Sequence, residues 1–258
     1  MHYRRYGYLG GIPRLAGVSR FRAFAHRGGS HEAPENSLRA FQNAQRLGFV
    51  EMETDIRGTR DGVAVVHHDA SLDRTTDGVG LLKDMTWAEV SRARIHGHEP
   101  ILRLEELLEA MPESRLTLDA KDEVAVPALL NALERTGEHS RVCVGAFSHR
   151  RLSQVRRSVR VTTSASPREV FRFVAAVAAG RQASLSADYL QIPPNIGRRR
   201  LVDERLVSAA HAAGHEVHVW TIDSPAQMHE LLDLGVDGIM TDRPRVLREV
   251  LQQRGLWT

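Results

Sequence analysis

Eight short apolar runs, each closing on polar residues, recur along the chain: 22–26 (RAFAH), 50–56 (VEMETDI), 115–121 (RLTLDAK), 141–147 (RVCVGAF), 159–164 (VRVTTS), 187–192 (ADYLQI), 215–221 (HEVHVWT) and 237–241 (DGIMT). Runs of this length read as buried strands. Helical patterns separate most of them, at about 37–48, 123–136, 149–157, 167–179, 203–213, 225–234 and 244–253. Ser37, Ser148 and Asp203 stand where a side-chain oxygen can cap a first turn. Pro167, Pro225 and Pro244 suit first-turn positions, and Gly214 and Gly235 suit helix ends. Strands alternating with helices predict a parallel sheet covered by helices. Eight such units in about 235 residues match the count of a TIM (β/α)8 barrel. A doubly wound sheet has fewer strands and a Gly-rich turn, and the chain holds no G-x-G-x-x-G. Between the second and third strands the chain runs from 56 to about 114, too far for one helix. A small insertion is predicted there, with a hairpin near Asp61-Gly62. The reading is one domain over 22–254, preceded by a basic extension over 1–21.

Composition adds limits. The 258 residues are 42% hydrophobic and 26% charged, as in an ordinary globular domain. No apolar run approaches the roughly 18 residues of a membrane span, and the N-terminus lacks the apolar centre of a secretory signal. One cysteine, Cys143, excludes an intrachain disulfide and a cysteine-rich metal site. Together these features point to the cytoplasm. The net charge of +3 would suit an anionic partner, but no nucleic-acid-binding motif accompanies it, so no nucleic-acid partner is expected. The first 22 residues carry five arginines and no acid, which allows at most weak peripheral contact with anionic lipid. Of 35 basic residues, 33 are arginine and only Lys83 and Lys121 are lysine. A lysine at a suspicious position is therefore informative in this chain.

The barrel reading makes a forecast about chemistry, because the active site of this fold lies at the C-terminal ends of the strands. His26 and Arg27 follow strand one, Glu53 and Asp55 end strand two, Asp119 and Lys121 end strand three, and Phe147, Gln191 and Trp220 stand at later strand ends. Glu53 and Asp55 are two apart, so both carboxylates share one face of the strand, here the barrel interior. Two such acids repel unless compensated. A hard divalent cation, Mg²⁺ or Ca²⁺, provides that compensation, with Asp119 as a third ligand; pairing with arginines is the alternative. His26 and His68 supply a proton acceptor and a proton donor near neutral pH. Arg27 offers a planar fork suited to phosphate, and Gly28-Gly29 permits close backbone approach. The loop after strand six, with Arg198, Arg199 and Arg200, is expected to rim the mouth.

AHRGGSHEAPENSLRAF (25–41) resembles the HRG…PEN opening of the glycerophosphodiester phosphodiesterase family, and VEMETDIRGTRDGVAVVHHDASLDRTTDG (50–78) its E-x-D…HD…L-x-RTT block. PILRLEELL (100–108), LTLDAK (116–121) and VHVWTID…GVDGIMTDRP resemble later segments, so the likeness covers about residues 22–250. It implies a TIM barrel, His26 and His68 as an acid/base pair, and Glu53 and Asp55 as metal ligands. It also implies Arg27 and Lys121 on the phosphate and Trp220 in the pocket wall. His67 stands at a position usually apolar in the family, and Asp119 stands where the family typically has Glu. The implied reaction is metal-dependent hydrolysis of a small-molecule glycerophosphodiester to glycerol 3-phosphate and an alcohol. The alternative is a lysophospholipase D-like action on a lipid diester.

Overall fold

Alternate residues of each strand point to opposite sides, and in this chain the two sides have opposite character. In the computed structural model, which describes residues 21–182 and 184–257, eight parallel strands form a ring. They are β1 (Arg22–His26), β2 (Glu51–Gly58), β3 (Arg115–Ala120), β4 (Val142–Gly145), β5 (Thr162–Thr163), β6 (Tyr189–Ile192), β7 (Glu216–Val219) and β8 (Gly238–Thr241). They pair in the order β5-β4-β3-β2-β1-β8-β7-β6. A bridge between Ser164 and Tyr189 joins the two ends of that path, so the sheet closes on itself as the (β/α)8 count predicts. Outside it lie α1 (Leu38–Arg46), α2 (Leu104–Ala110), α3 (Ala125–Thr136), α4 (His149–Ser158), α5 (Pro167–Ala178), α6 (Glu204–Ala212), α7 (Pro225–Asp233) and α8 (Pro244–Gln253).

The predicted caps act as caps. Ser37, Ser148 and Asp203 accept hydrogen bonds from the backbone N–H groups of Ala40, Arg151 and Leu206. The three prolines open α5, α7 and α8. Two boundaries move for local reasons. Strand five begins at Thr162 rather than 159, because the Val159 N–H still bonds Val155 and closes α4. Helix α3 begins at Ala125 rather than 123, because Asp122 accepts the Ala125 N–H at 2.7 Å.

The outward residues, such as Met52, Ile56, Leu116, Leu118, Val217 and Ile239, join the helices in one apolar core. The inward residues at the strand starts form a polar floor. Arg22 contacts Glu51 at 2.6 Å and Glu216 at 2.8 Å, Arg115 contacts Glu51 at 2.9 Å, and His218 meets Glu216 at 3.2 Å. Buried charge is tolerable there because each acid has a cationic or hydrogen-bonding partner.

The predicted insertion is a small subdomain. Strand Ala64–Val66 turns back against β2 through a tight turn in which Gly62 takes φ 81°, as the Asp61-Gly62 pair predicts. Val65, Leu72, Leu82, Val90, Ala93, Ile95 and Ile101 give it a core of its own. The basic extension, up to residue 20, lies outside the described residues, and the lipid-contact reading with it.

Candidate active site

The strand register decides which polar side chains meet at the top of the barrel. His26 is level with Glu53, and Asp55 is level with Asp119. With their neighbours they form two linked groups.

The first is built on Asp55, which is 1% exposed on its side chain. Lys121 Nζ stands between two acids, 2.8 Å from Asp55 Oδ1 and 2.7 Å from Asp119 Oδ2. Arg27 Nε lies 3.2 Å from Asp55 Oδ2, and Asn36 donates to the same oxygen at 3.0 Å. Asn36 is itself held by Thr54, whose hydroxyl donates to it at 2.8 Å. Burial works against both charges, but the attraction wins. The Lys121 pKa is raised and the Asp55 pKa lowered. Asp122, the other acid beside Lys121, pairs instead with Arg57 at 3.0 Å.

The second group is built on the histidines. His26 Nδ1 lies 2.7 Å from Asp242 Oδ1, and Nε2 lies 3.6 Å from Glu53 Oε2. Burial disfavours the imidazolium, but Glu53 and Asp242 outweigh it and raise the His26 pKa. His68 Nδ1 lies 2.7 Å from Asp69 Oδ1. With Nδ1 assigned as the donor in both contacts, Nε2 of each ring faces away from its backing carboxylate, that of His26 toward Glu53. His67 behaves differently. It is buried, its Nε2 faces the Ser71 carbonyl at 3.0 Å, and burial lowers its pKa. It is a satisfied interior histidine.

Gly28 and Gly29 are explained by the turn. Both have positive φ, and a Cβ on them would lie 2.7 Å from the Ala40 Cβ and 2.5 Å from the Pro244 ring. Their role in packing is therefore as strong as any approach to a ligand. Trp220 follows β7 and packs edge-on against Phe147, with centroids 5.7 Å apart. Phe147 is 61% exposed, and the Lys121 ammonium lies 5.9 Å from its ring. Arg198 and Arg199 are exposed on the hairpin after β6, whereas Arg200 bends onto α7 and pairs with Glu230 at 2.6 Å.

The fit of a divalent cation is testable on these residues. Burial, followed by the charges of Asp55 and Asp119, pushes the Glu53 pKa up to about 7 despite His26 and Lys121. Asp119 Oδ1 is buried without a hydrogen-bond partner. Three carboxylates thus face Arg27, Lys121 and the His26 ring, and an incoming phosphodiester anion would leave the set with surplus negative charge. An all-oxygen donor set with surplus negative charge suits a hard divalent ion. Among the described residues the group of possible ligands whose donor atoms all lie within 4.8 Å of one another is another one, His31, Asp223 and Asp242. Glu53, Asp55 and Asp119, two of them bridged by Lys121, do not come within that spacing.

Residues 26–246 match the model of the glycerophosphoryl diester phosphodiesterase family. The chain belongs to that family. It is 41% identical over 246 residues to the Mycobacterium tuberculosis protein named "Probable glycerophosphodiester phosphodiesterase 2", covering 91% of this chain and 92% of that one. It is 31% identical to a glycerophosphodiester phosphodiesterase of Bacillus altitudinis, covering 86% and 94%. A crystal structure of the Agrobacterium tumefaciens glycerophosphodiester phosphodiesterase superposes with a TM-score of 0.76 at 25% identity, covering 90% and 99%. An Oleispira antarctica phosphodiesterase, solved with its product sn-glycerol-3-phosphate, shares the fold with a TM-score of 0.75 at 24% identity, covering 90% and 96%. Family membership makes the chain a phosphoric diester hydrolase on a TIM barrel. Among the described residues no helix is long and apolar enough to cross a membrane.

The sequence alone assigns no individual role to Asp242, Asp69, Glu35, Asn36 or Arg74, which the structure brings to the site. Asp69 was discoverable, since it adjoins His68. Asp242 lies 216 residues from His26 in sequence and becomes its neighbour only when β8 closes on β1.

Proposed function

We propose that this chain hydrolyses glycerophosphodiesters to glycerol 3-phosphate and an alcohol, with a divalent cation and with His26 and His68 as the proton-transferring pair. The observation that carries the reading is the matched backing of the two histidines. Each has a carboxylate 2.7 Å from Nδ1, which fixes the ring and stabilises the imidazolium that forms during proton transfer. Arg27 and Lys121 present two cations at the same strand ends, suited to the charge that grows on phosphoryl oxygens in the transition state. Glu53, Asp55 and Asp119 would hold the cation. When bound, it would act as a Lewis acid on a phosphoryl oxygen and lower the pKa of the attacking hydroxyl. The Phe147–Trp220 pair gives the mouth one apolar wall, against which the carbon face of glycerol can lie.

The test is hydrolysis of glycerophosphocholine and of lysophosphatidylcholine, each with and without EDTA. The expected result is turnover of the small diester that EDTA abolishes and Mg²⁺ or Ca²⁺ restores. EDTA-insensitive turnover would overturn the cation's part. Preference for the lysolipid would move the substrate to the lipid diester class.

A further inference from the structure

The insertion between β2 and α2 sends one arginine back to the active site. Arg74 Nε donates to Asp69 Oδ2 at 2.5 Å and Nη2 donates to Asp69 Oδ1 at 3.1 Å. The other side of the same guanidinium donates to Glu35, from Nη1 to Oε2 at 3.0 Å and from Nη2 to Oε1 at 2.8 Å. Both carboxylates already serve residues of the site. Glu35 Oε1 accepts from Arg27 Nη1 at 3.1 Å, and Asp69 Oδ1 faces His68 Nδ1 at 2.7 Å. The contacts therefore form one unbroken chain: Asp55, Arg27, Glu35, Arg74, Asp69, His68.

The loop that carries Arg74 is rigidly held. Leu72 is fully buried in the insertion's core. The Thr76 hydroxyl donates to the Leu72 carbonyl at 2.8 Å and accepts the Gly78 N–H at 3.0 Å. Arg74 itself is half exposed, and exposed ion pairs contribute little to stability. A planar fork gripping two carboxylates bidentately, in contrast, fixes their separation.

We propose that Arg74 is a positioning residue, whose guanidinium spans Glu35 and Asp69 and so sets Arg27 and His68 at their working distance from each other. The chain joins an element of β1's loop to an element of the insertion, which nothing else in this network does. The proposal rests on the roles given above to Arg27 and His68. It also gives the insertion a function: it delivers the brace from outside the barrel. A lysine at position 74 would keep the charge but could not grip both acids.

The experiment is steady-state kinetics on glycerophosphocholine for R74Q, R74K, H68A and the double variant R74Q/H68A, with thermal melts of each. R74Q is expected to lose about 10- to 100-fold in kcat, the scale set by a displacement near 1 Å, while its melting temperature stays within about 4 °C of the parent. R74K should recover only part of the loss. The deciding readout is the double-mutant cycle: adding R74Q to H68A should cost much less than adding it to the parent, because the part acting through His68 is already gone. Parental kcat in R74Q overturns the proposal, and so does an undiminished loss in the H68A background. If R74Q proves unstable, the same cycle run with R74K decides. Full activity in H68A itself would overturn the role of His68, an outcome separate from any result on Arg74.

Discussion

Lys121→Met removes the one ammonium among the buried acids, and its consequences follow from the distances. In the parent, Nζ lies 2.8 Å from Asp55 and 2.7 Å from Asp119, and the lysine side chain is 16% exposed. Breaking a buried pair by removing one partner costs about 3–5 kcal/mol, because the remaining charge stays buried. Asp55 keeps Arg27 and Asn36, which places the expected loss near the lower end, about 3 kcal/mol. For a chain of this size that corresponds to a fall in melting temperature of roughly 6–12 °C. The measurement is a pair of thermal melts, in EDTA and in saturating Mg²⁺ or Ca²⁺. Without the ammonium, Glu53, Asp55 and Asp119 become a more anionic cluster, so the divalent ion should restore most of the loss. A ligand at a hundred times its Kd contributes about 2.7 kcal/mol. Turnover should stay low even with the ion present, by about 10²–10³-fold, since the cation proposed for the phosphoryl oxygens is missing. An unchanged melt in EDTA would refute the energetic weight given to these two contacts. Melts that fall but do not respond to either ion would refute the assignment of the acids as its ligands. Parental turnover would refute the placement of Lys121 on the phosphate.

Other variants separate the remaining roles. His26→Ala and His68→Ala should each lose about 10²–10⁴ in turnover with the fold intact. His67→Ala should instead lose about 1–3 kcal/mol of stability, the cost of an unmade buried hydrogen bond, while the folded fraction keeps its turnover; a crippled His67 variant beside an active His68 variant would reverse the assignment. Asp119→Glu lengthens a side chain whose Oδ1 has no hydrogen-bond partner, so turnover should be retained and isothermal titration should show tighter Mg²⁺ or Ca²⁺ binding; a loss of both would mean that the site is built around the shorter acid. At the barrel floor, burial raises the Glu216 pKa, but the bond to His218 and the charge of Arg22 prevail and hold it at about 2. A depressed carboxylate stabilises the fold above its unfolded pKa of about 4.5, and that contribution vanishes as pH falls toward 2. Its full size is about 3 kcal/mol. Denaturant titrations between pH 5 and 2, set against Glu216→Gln, should show the parent losing stability faster than the variant, and parallel curves would refute the assignment.

The parts of this molecule that sequence made legible are those governed by local rules. Ser37, Ser148 and Asp203 cap helices because the donors they serve lie three residues away. Glu53 and Asp55 share a face because alternation along a strand is a local property. The same alternation extends beyond Glu53 and Asp55. Glu51, in step with Glu53, lies in the polar floor with Arg22, and Glu216 and His218 on β7, with Trp220 just past its end, follow one row from floor to mouth. What stayed hidden depends on register and on closure. Nothing within the segment TDRP tells which of 13 histidines its aspartate will meet; that is set when β8 pairs with β1, with Thr241 beside Ala25, carrying Asp242 to His26. Glu35 and Asn36 show the same limit within one short motif. Adjacent in sequence, they point to different ends of the site, Asn36 to Asp55 and Glu35 to Arg74. The positive φ of Asn36 is the local device that turns the chain between them, so that two neighbouring residues can support both halves of the site.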